Sequence, residues 1–134
     1  MTLRISLRDG ERMVVNGAVL RASGRVNLCV ENKATILRGR DVMTVEEANT
    51  PARLLYFACM MAYIDPENAA RHRDAVVARV GDLMGALESP EAKRVCIAFA
   101  QKAALSDFYG ALADCRWLIA YEAEAMARVP VAAE

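Results

Sequence analysis

Leu3, Ile5 and Leu7 alternate with Arg4, Ser6 and Arg8 at the start of the chain. Successive side chains of a strand point to opposite faces, so this alternation predicts a half-buried strand. Asp9-Gly10 then turns the chain, since both residues tolerate the backbone angles of a tight turn. Met13 and Val15 continue the inner face and leave Arg12 and Val14 on the outer one. Asn16-Gly17 lies between two apolar runs, and both central positions of a type I′ hairpin turn need φ > 0, which Asn and Gly accept at least cost. Beyond it Ala18 and Leu20 face in, and Val19 and Arg21 face out. Ser23-Gly24 turns again. Val26, Leu28 and Val30 then face in, opposite Arg25, Asn27, Cys29 and Glu31. After Glu31-Asn32-Lys33, Ala34, Ile36 and Arg38 alternate with Thr35 and Leu37. Five short strands with tight turns predict an antiparallel meander, closed like a barrel or partly curled, which limits exposed edges.

From Thr44 the pattern becomes helical. Thr44-Val45-Glu46-Glu47 has capping-box spacing, in which the Thr hydroxyl and a Glu carboxylate satisfy orphan amides. Thr50-Pro51 supplies an N-cap followed by proline at the first helical position. Leu54 to Ile64 is apolar almost all round, including Phe57, Met60 and Met61, as suits a helix central to a core or an assembly. Asp65-Pro66-Glu67 and Ser89-Pro90-Glu91 repeat the cap-then-proline grammar. The first opens a helix with Val76, Val80, Leu83 and Leu87 on one stripe, and the second a helix around Val95 and Phe99. A last helix runs from about Ser106 to Arg128 with Phe108, Leu112, Cys115, Ile119 and Met126 inside. Gly81, Gly85 and Gly110 read as close packing or helix breaks, and the tail from Val129 to Glu134 as frayed. The expected fold class is α+β. A small antiparallel β meander or barrel-like module over 1–43 precedes a bundle of about four helices over 44–134, packed as one compact unit.

Composition changes this picture in one respect. The 134 residues are 55% apolar, enough for a real core, and the formal net charge is zero. That zero conceals a split. Met1 to Thr44 carries 8 basic and 4 acidic residues, and Val45 to Glu134 carries 9 basic and 13 acidic. The β half is basic and the helical half acidic, so only the first suits a polyanion. No run of about 18 uncharged apolar residues occurs, which argues against a membrane-spanning helix. Met1 leads straight into a strand pattern with Arg4 and Arg8, unlike a signal peptide, so a cytoplasmic protein is expected. Cys29, Cys59, Cys96 and Cys115 lie far apart without a C-x-x-C, and read as small buried hydrophobes rather than metal ligands.

Neither G-x-x-x-x-G-K-[ST] nor G-x-G-x-x-G is present, so the phosphate-cradling glycine loops are absent. His72, the one histidine, sits in Arg71-His72-Arg73, a cationic and solvated stretch. Capping accounts for Glu46 and Glu47. The reading is therefore no enzyme, no catalytic residue, no metal and no cofactor. The arginines are more informative. Arg4, Arg8, Arg12, Arg21 and Arg25 all alternate away from apolar positions, and Lys33, Arg38 and Arg40 sit at a strand end or turn. The guanidinium fork donates two parallel hydrogen bonds and is always charged, which suits phosphate. These eight residues are the candidate RNA-binding set. No aromatic residue precedes Tyr56, so bases cannot stack on this half as on aromatic platforms. In the helical half Trp117 and Tyr121 stand one helical turn apart and form a candidate partner-binding patch.

Several stretches carry a resemblance. Val14-Val15-Asn16-Gly17-Ala18-Val19-Leu20, Glu31-Asn32-Lys33-Ala34-Thr35-Ile36-Leu37-Arg38 and Thr50-Pro51-Ala52-Arg53-Leu54-Leu55-Tyr56-Phe57-Ala58 resemble the flagellar biosynthesis repressor FlbT family. The likeness continues through Tyr63-Ile64-Asp65-Pro66-Glu67 to Ala111-Leu112-Ala113-Asp114-Cys115-Arg116, with Glu122-Ala123-Glu124 near the terminus. It implies a post-transcriptional regulator that associates with the 5′ untranslated region of flagellin mRNA, represses translation and promotes degradation of the message. It implies no particular binding residues. The hairpin at Gly10-Glu11 is also similar, over a short stretch, to β-rich carbon storage regulator proteins, which bind RNA leaders. Two function classes stay open. One is an RNA-binding repressor acting through the basic half on a flagellin mRNA leader. The other is a protein-binding adaptor or chaperone-like factor for flagellin or another flagellar regulatory protein, with an indirect effect on the message. Either is compatible with a homo-oligomer and needs no membrane.

Overall fold

Among the described residues, five strands and four α-helices follow in the order the pattern predicts. The computed structural model describes residues 2–128, so the expected fraying of Val129 to Glu134 lies outside the described residues. The strands are β1 (Leu3–Leu7), β2 (Arg12–Val15), β3 (Ala18–Arg21), β4 (Val26–Val30) and β5 (Ile36–Arg38), and the helices α1 (Pro51–Ile64), α2 (Ala69–Ala86), α3 (Pro90–Ala104) and α4 (Phe108–Arg128). The chain divides into two units, Met1–Val42 with Tyr63–Glu67, and Met43–Ala62 with Asn68–Glu134.

The fold class is α+β, but the strands do not close into a barrel. They form two small antiparallel sheets, β1-β4 and β3-β2-β5. A simple meander would pair β1 with β2. Instead the turn between them closes on itself: the Glu11 amide donates to the Arg8 carbonyl at 3.0 Å, and the Glu11 carboxylate accepts from the Arg8 amide at 2.9 Å. Chain direction reverses there without a ladder, and β1 takes β4 as its partner, with Ile5 opposite Leu28 and Leu7 opposite Val26. Asp9 Oδ1 accepts from the Gly24 amide at 2.7 Å, tying the first turn to the third.

The β2–β3 hairpin has the expected turn. Asn16 and Gly17 have φ of 49° and 85°, the left-handed pair that a type I′ turn requires. Asn16 also grips the entry to β5: its amide donates to the Thr35 carbonyl at 2.8 Å and its Oδ1 accepts from the Thr35 amide at 2.9 Å. Gly39, just past β5, approaches the Arg12 backbone so closely that a Cβ would lie 2.5 Å from its carbonyl oxygen.

The core of this unit is Ile5, Leu7, Met13 and Ala22, with Val15, Val26, Leu28, Val30 and Ile36 packed around them. Several orientations differ from expectation. Val14, expected outside, is buried, as is Leu37 opposite it, and Met13 beside Val14 is buried too, so β2 is covered on both faces. Ala18 and Leu20, expected inside, are exposed along with the rest of β3, an edge strand paired on one side only. Leu3 is 52% exposed at the open end of its ladder.

In the helical unit, Thr50 Oγ1 accepts from the Arg53 amide and Ser89 Oγ from the Ala92 amide, so the starts at Pro51 and Pro90 are capped. Thr44 and Glu47 exchange capping-box hydrogen bonds at 2.9 and 3.3 Å, yet close only a turn, and the helix begins at Pro51. Pro66–Asn68 forms a short 3₁₀ turn before α2, a common helix entry. Glu122 Oε2 of α4 accepts from the Ala52 amide at 2.9 Å and so satisfies the start of α1 from a distant part of the chain. Leu55, Cys59, Cys96, Phe99, Leu112, Cys115 and Leu118 are buried, and α3 packs against α2 and α4, the latter also through the Lys102–Asp114 ion pair at 3.0 Å. Gly110 allows the Asp107 carboxylate to cap α4, accepting from the Gly110 amide at 3.0 Å. Gly81 and Gly85 have nothing close to them, and Met126, expected inside, is 59% exposed near the helix end. No helix among the described residues is long and apolar enough to cross a membrane.

Candidate functional site

The arginines of the β half do not share one face. On the β1-β4 ribbon, Arg4 lies opposite Cys29 on the outer side, and Arg8 and Arg25 follow at the end beyond Leu7 and Val26. On the three-stranded sheet Arg12 lies directly opposite Arg21, a like-charge pair that only solvent exposure makes tolerable. Lys33 stands in the exposed turn before β5, beside a hollow lined by Leu20, Leu28 and Val30.

Four of the candidates meet. Arg8 and Arg25 from the ribbon end and Arg38 and Arg40 from the end of β5 line one open groove of about 1100 Å³, whose remaining wall is Ser6 and the turn Asp9-Gly10-Glu11. Local structure explains the convergence. The turn at Arg8–Glu11 and its bond to Gly24 bring the start of β4 beside the end of β1, and the tight approach of Gly39 to β2 holds Arg38 and Arg40 at the same end.

The electrostatics of the groove are one-sided. Asp9 and Glu11 each accept a backbone N–H, from Gly24 and Arg8 respectively. Among the described residues no carboxylate forms an ion pair with Arg8, Arg25, Arg38 or Arg40. Arg38 is the most enclosed: its Nη2 donates to the Ser6 carbonyl at 2.8 Å, and its Nε is covered by protein and lacks an acceptor. No aromatic side chain lines the groove, so it offers charge and hydrogen-bond donors and no stacking platform.

The sequence finds these arginines but not their grouping, because outward alternation cannot tell two sheets from one. It misses the part of Ser6, Asp9 and Glu11; the signal was the Arg-Asp-Gly-Glu turn, whose acceptors can hold nearby amides.

In the helical unit Trp117 and Tyr121 stack, with ring centroids 5.4 Å apart and planes 6° from parallel, and each is half-buried. A separate apolar hollow of about 190 Å³ is lined by Val76, Val77, Val80, Phe99 and Phe108. Val77 and Leu105 are exposed on the same unit. Two expectations need correcting. His72 is buried, since it lies on the same side of α2 as Val76 rather than on the solvated side with Arg71 and Arg73. Cys29 is exposed, because it takes the outward positions of β4; the other three cysteines are buried free thiols. Among the described residues no group of three or more His, Cys, Asp or Glu side chains is placed to hold a metal.

The family model described as flagellar protein FlbT matches residues 3–126. A probable flagellum biosynthesis repressor protein FlbT from a Caulobacter species (strain K31) is 39% identical over 130 residues, covering 96% of this chain and 99% of that relative. The flagellum biosynthesis repressor protein FlbT of Caulobacter vibrioides is 37% identical over 130 residues, covering 96% of this chain and 92% of its own. A probable counterpart in Bradyrhizobium diazoefficiens is 36% identical over 124 residues, covering 91% of this chain and 83% of that relative. No solved structure matches. These relatives are named for repression of flagellum biosynthesis and not for an enzymatic activity.

Proposed function

Since this chain belongs to the flagellar protein FlbT family, we propose that it represses flagellum biosynthesis after transcription, by binding the leader of a flagellin mRNA through its basic β unit and reducing that message's translation and lifetime. The carrying observation is that the β unit concentrates exposed arginines, while the two carboxylates beside four of them, Asp9 and Glu11, are engaged with backbone amides. A surface of this kind draws in an RNA backbone through counterion release, whatever its bases. Decay of the message is then the work of a separate nuclease, which the bound repressor admits to the leader.

The test is a titration of purified protein with a flagellin leader RNA at several salt concentrations. Binding should weaken as salt rises, with log affinity falling by about 0.7 per unit of log salt for each single-strand phosphate neutralised. Binding absent at low salt, or independent of salt, overturns the reading.

A second reading has its own observation. Exposed Val77 and Leu105 and the hollow beside Phe99 and Phe108 give the helical unit apolar surface suited to a protein partner such as flagellin. A flagellin complex that forms without RNA and survives high salt would favour it.

A further inference from the structure

The groove at the joined ends of β1, β4 and β5 is more specific than a basic surface. Four guanidiniums enter it from two separate strand systems, brought together by turns rather than by one alternating face. A general positive field needs no such convergence, and the like-charge cost of gathering arginines argues for an anion among them. Arg38 carries the argument further. One of its donors, Nη2, is fixed on the Ser6 carbonyl, which sets the plane of the guanidinium and holds its charge at the groove wall without an ion-pair partner among the described residues. The backbone amides of the adjoining turn do not compete for an anion: those of Arg8, Gly10 and Glu11 already donate within the protein.

We infer that this groove is a phosphate seat: Arg8, Arg25 and Arg40 clamp phosphate oxygens around the anchored guanidinium of Arg38. Arg4, Arg12, Arg21 and Lys33 lie outside it and contribute only to the long-range field. The occupant is the phosphodiester of a single strand, an identification that rests on the RNA-binding reading. Because no aromatic side chain lines the groove, the seat reads backbone and not bases.

Two variants with the same loss of charge separate a seat from a surface. Arg8→Gln with Arg25→Gln alters the groove, and Arg12→Gln with Arg21→Gln alters the other sheet. All four side chains are exposed. The groove variant should bind a single-stranded leader at least about tenfold more weakly and lose about one unit of salt slope, and the other variant should change affinity by less than about threefold. Equal losses from both pairs overturn the seat and leave the RNA reading standing. The second measurement uses the unmodified protein, so it does not depend on a variant folding. Pyrophosphate is titrated while the Arg38 Nε–H resonance, sheltered by burial, is followed by NMR. A saturable shift, absent from the groove variant, supports the seat. An Arg38 resonance that neither pyrophosphate nor RNA moves overturns it. A pyrophosphate shift without RNA binding at any salt retains the seat for phosphate and overturns the RNA reading.

Discussion

The hydroxyl of Tyr63 engages both backbone polar groups of Ile36, donating to its carbonyl at 3.0 Å and accepting from its amide at 3.1 Å. β5 is an outer strand of its sheet, and an unpaired strand edge is a template for unwanted pairing. The phenol acts as the missing neighbour at one residue. Tyr63→Phe keeps the ring and removes both hydrogen bonds. It should destabilise the protein by about 1–3 kcal/mol, because partly buried groups of Ile36 lose their partner. Urea unfolding should show a lower midpoint with unchanged slope.

Glu47 gives the protein a modest acid sensitivity. Its carboxylate accepts from the Thr44 amide and then the Thr44 hydroxyl, with the Arg53 charge a lesser influence, and these hold its pKa below the usual 4.5. A depressed carboxyl pKa means stability present above the unfolded value and lost as pH falls through the folded one. Below pH 4.5 the Thr44 amide resonance should move with the titration of Glu47. In Glu47→Gln that movement should vanish, and a movement that persists would assign it to another group.

The cysteines should react in two classes. Cys29 is exposed, whereas Cys59, Cys96 and Cys115 are fully buried. Burial pushes the thiols of Cys96 and Cys115 up, and for Cys115 the hydrogen-bonded Cys59 adds to the shift. Thiols held neutral are poor nucleophiles. A disulfide reagent should label one cysteine in the native protein and four in urea. Cys29→Ser should abolish the native reaction; a fast reaction left in that variant would mean that the helical core opens readily.

Trp117 and Tyr121 test the protein-partner reading. Their stack is worth about 0.5–1.5 kcal/mol beyond the area it buries. Trp117→Ala with Tyr121→Ala should leave a folded but less stable protein. If the pair contacts flagellin, binding should fall by far more than the unfolded fraction accounts for, read by calorimetry at a temperature where circular dichroism shows full helicity. Binding lost only in proportion to helicity would mark the rings as internal packing.

Local rules account for most of what the chain declares about itself. The Asn16-Gly17 turn, the starts at Thr50-Pro51 and Ser89-Pro90 and the alternation of β1 all rest on interactions within a few residues, so residue type alone predicts them. The charge split between the halves is equally a property of composition. Which strands pair is different in kind. The alternation of β1 suits β2 as well as β4, and the choice came from the closed turn at Arg8–Glu11. The division into two sheets likewise decided that Val14 and Leu37 are buried on the middle and outer strands of one, that Leu20 is exposed on its edge, and that Arg8 and Arg25 meet Arg38 and Arg40. Alternation puts a side chain on one of two faces. What lies against that face depends on contacts between residues far apart in sequence, and only the tertiary structure supplies them.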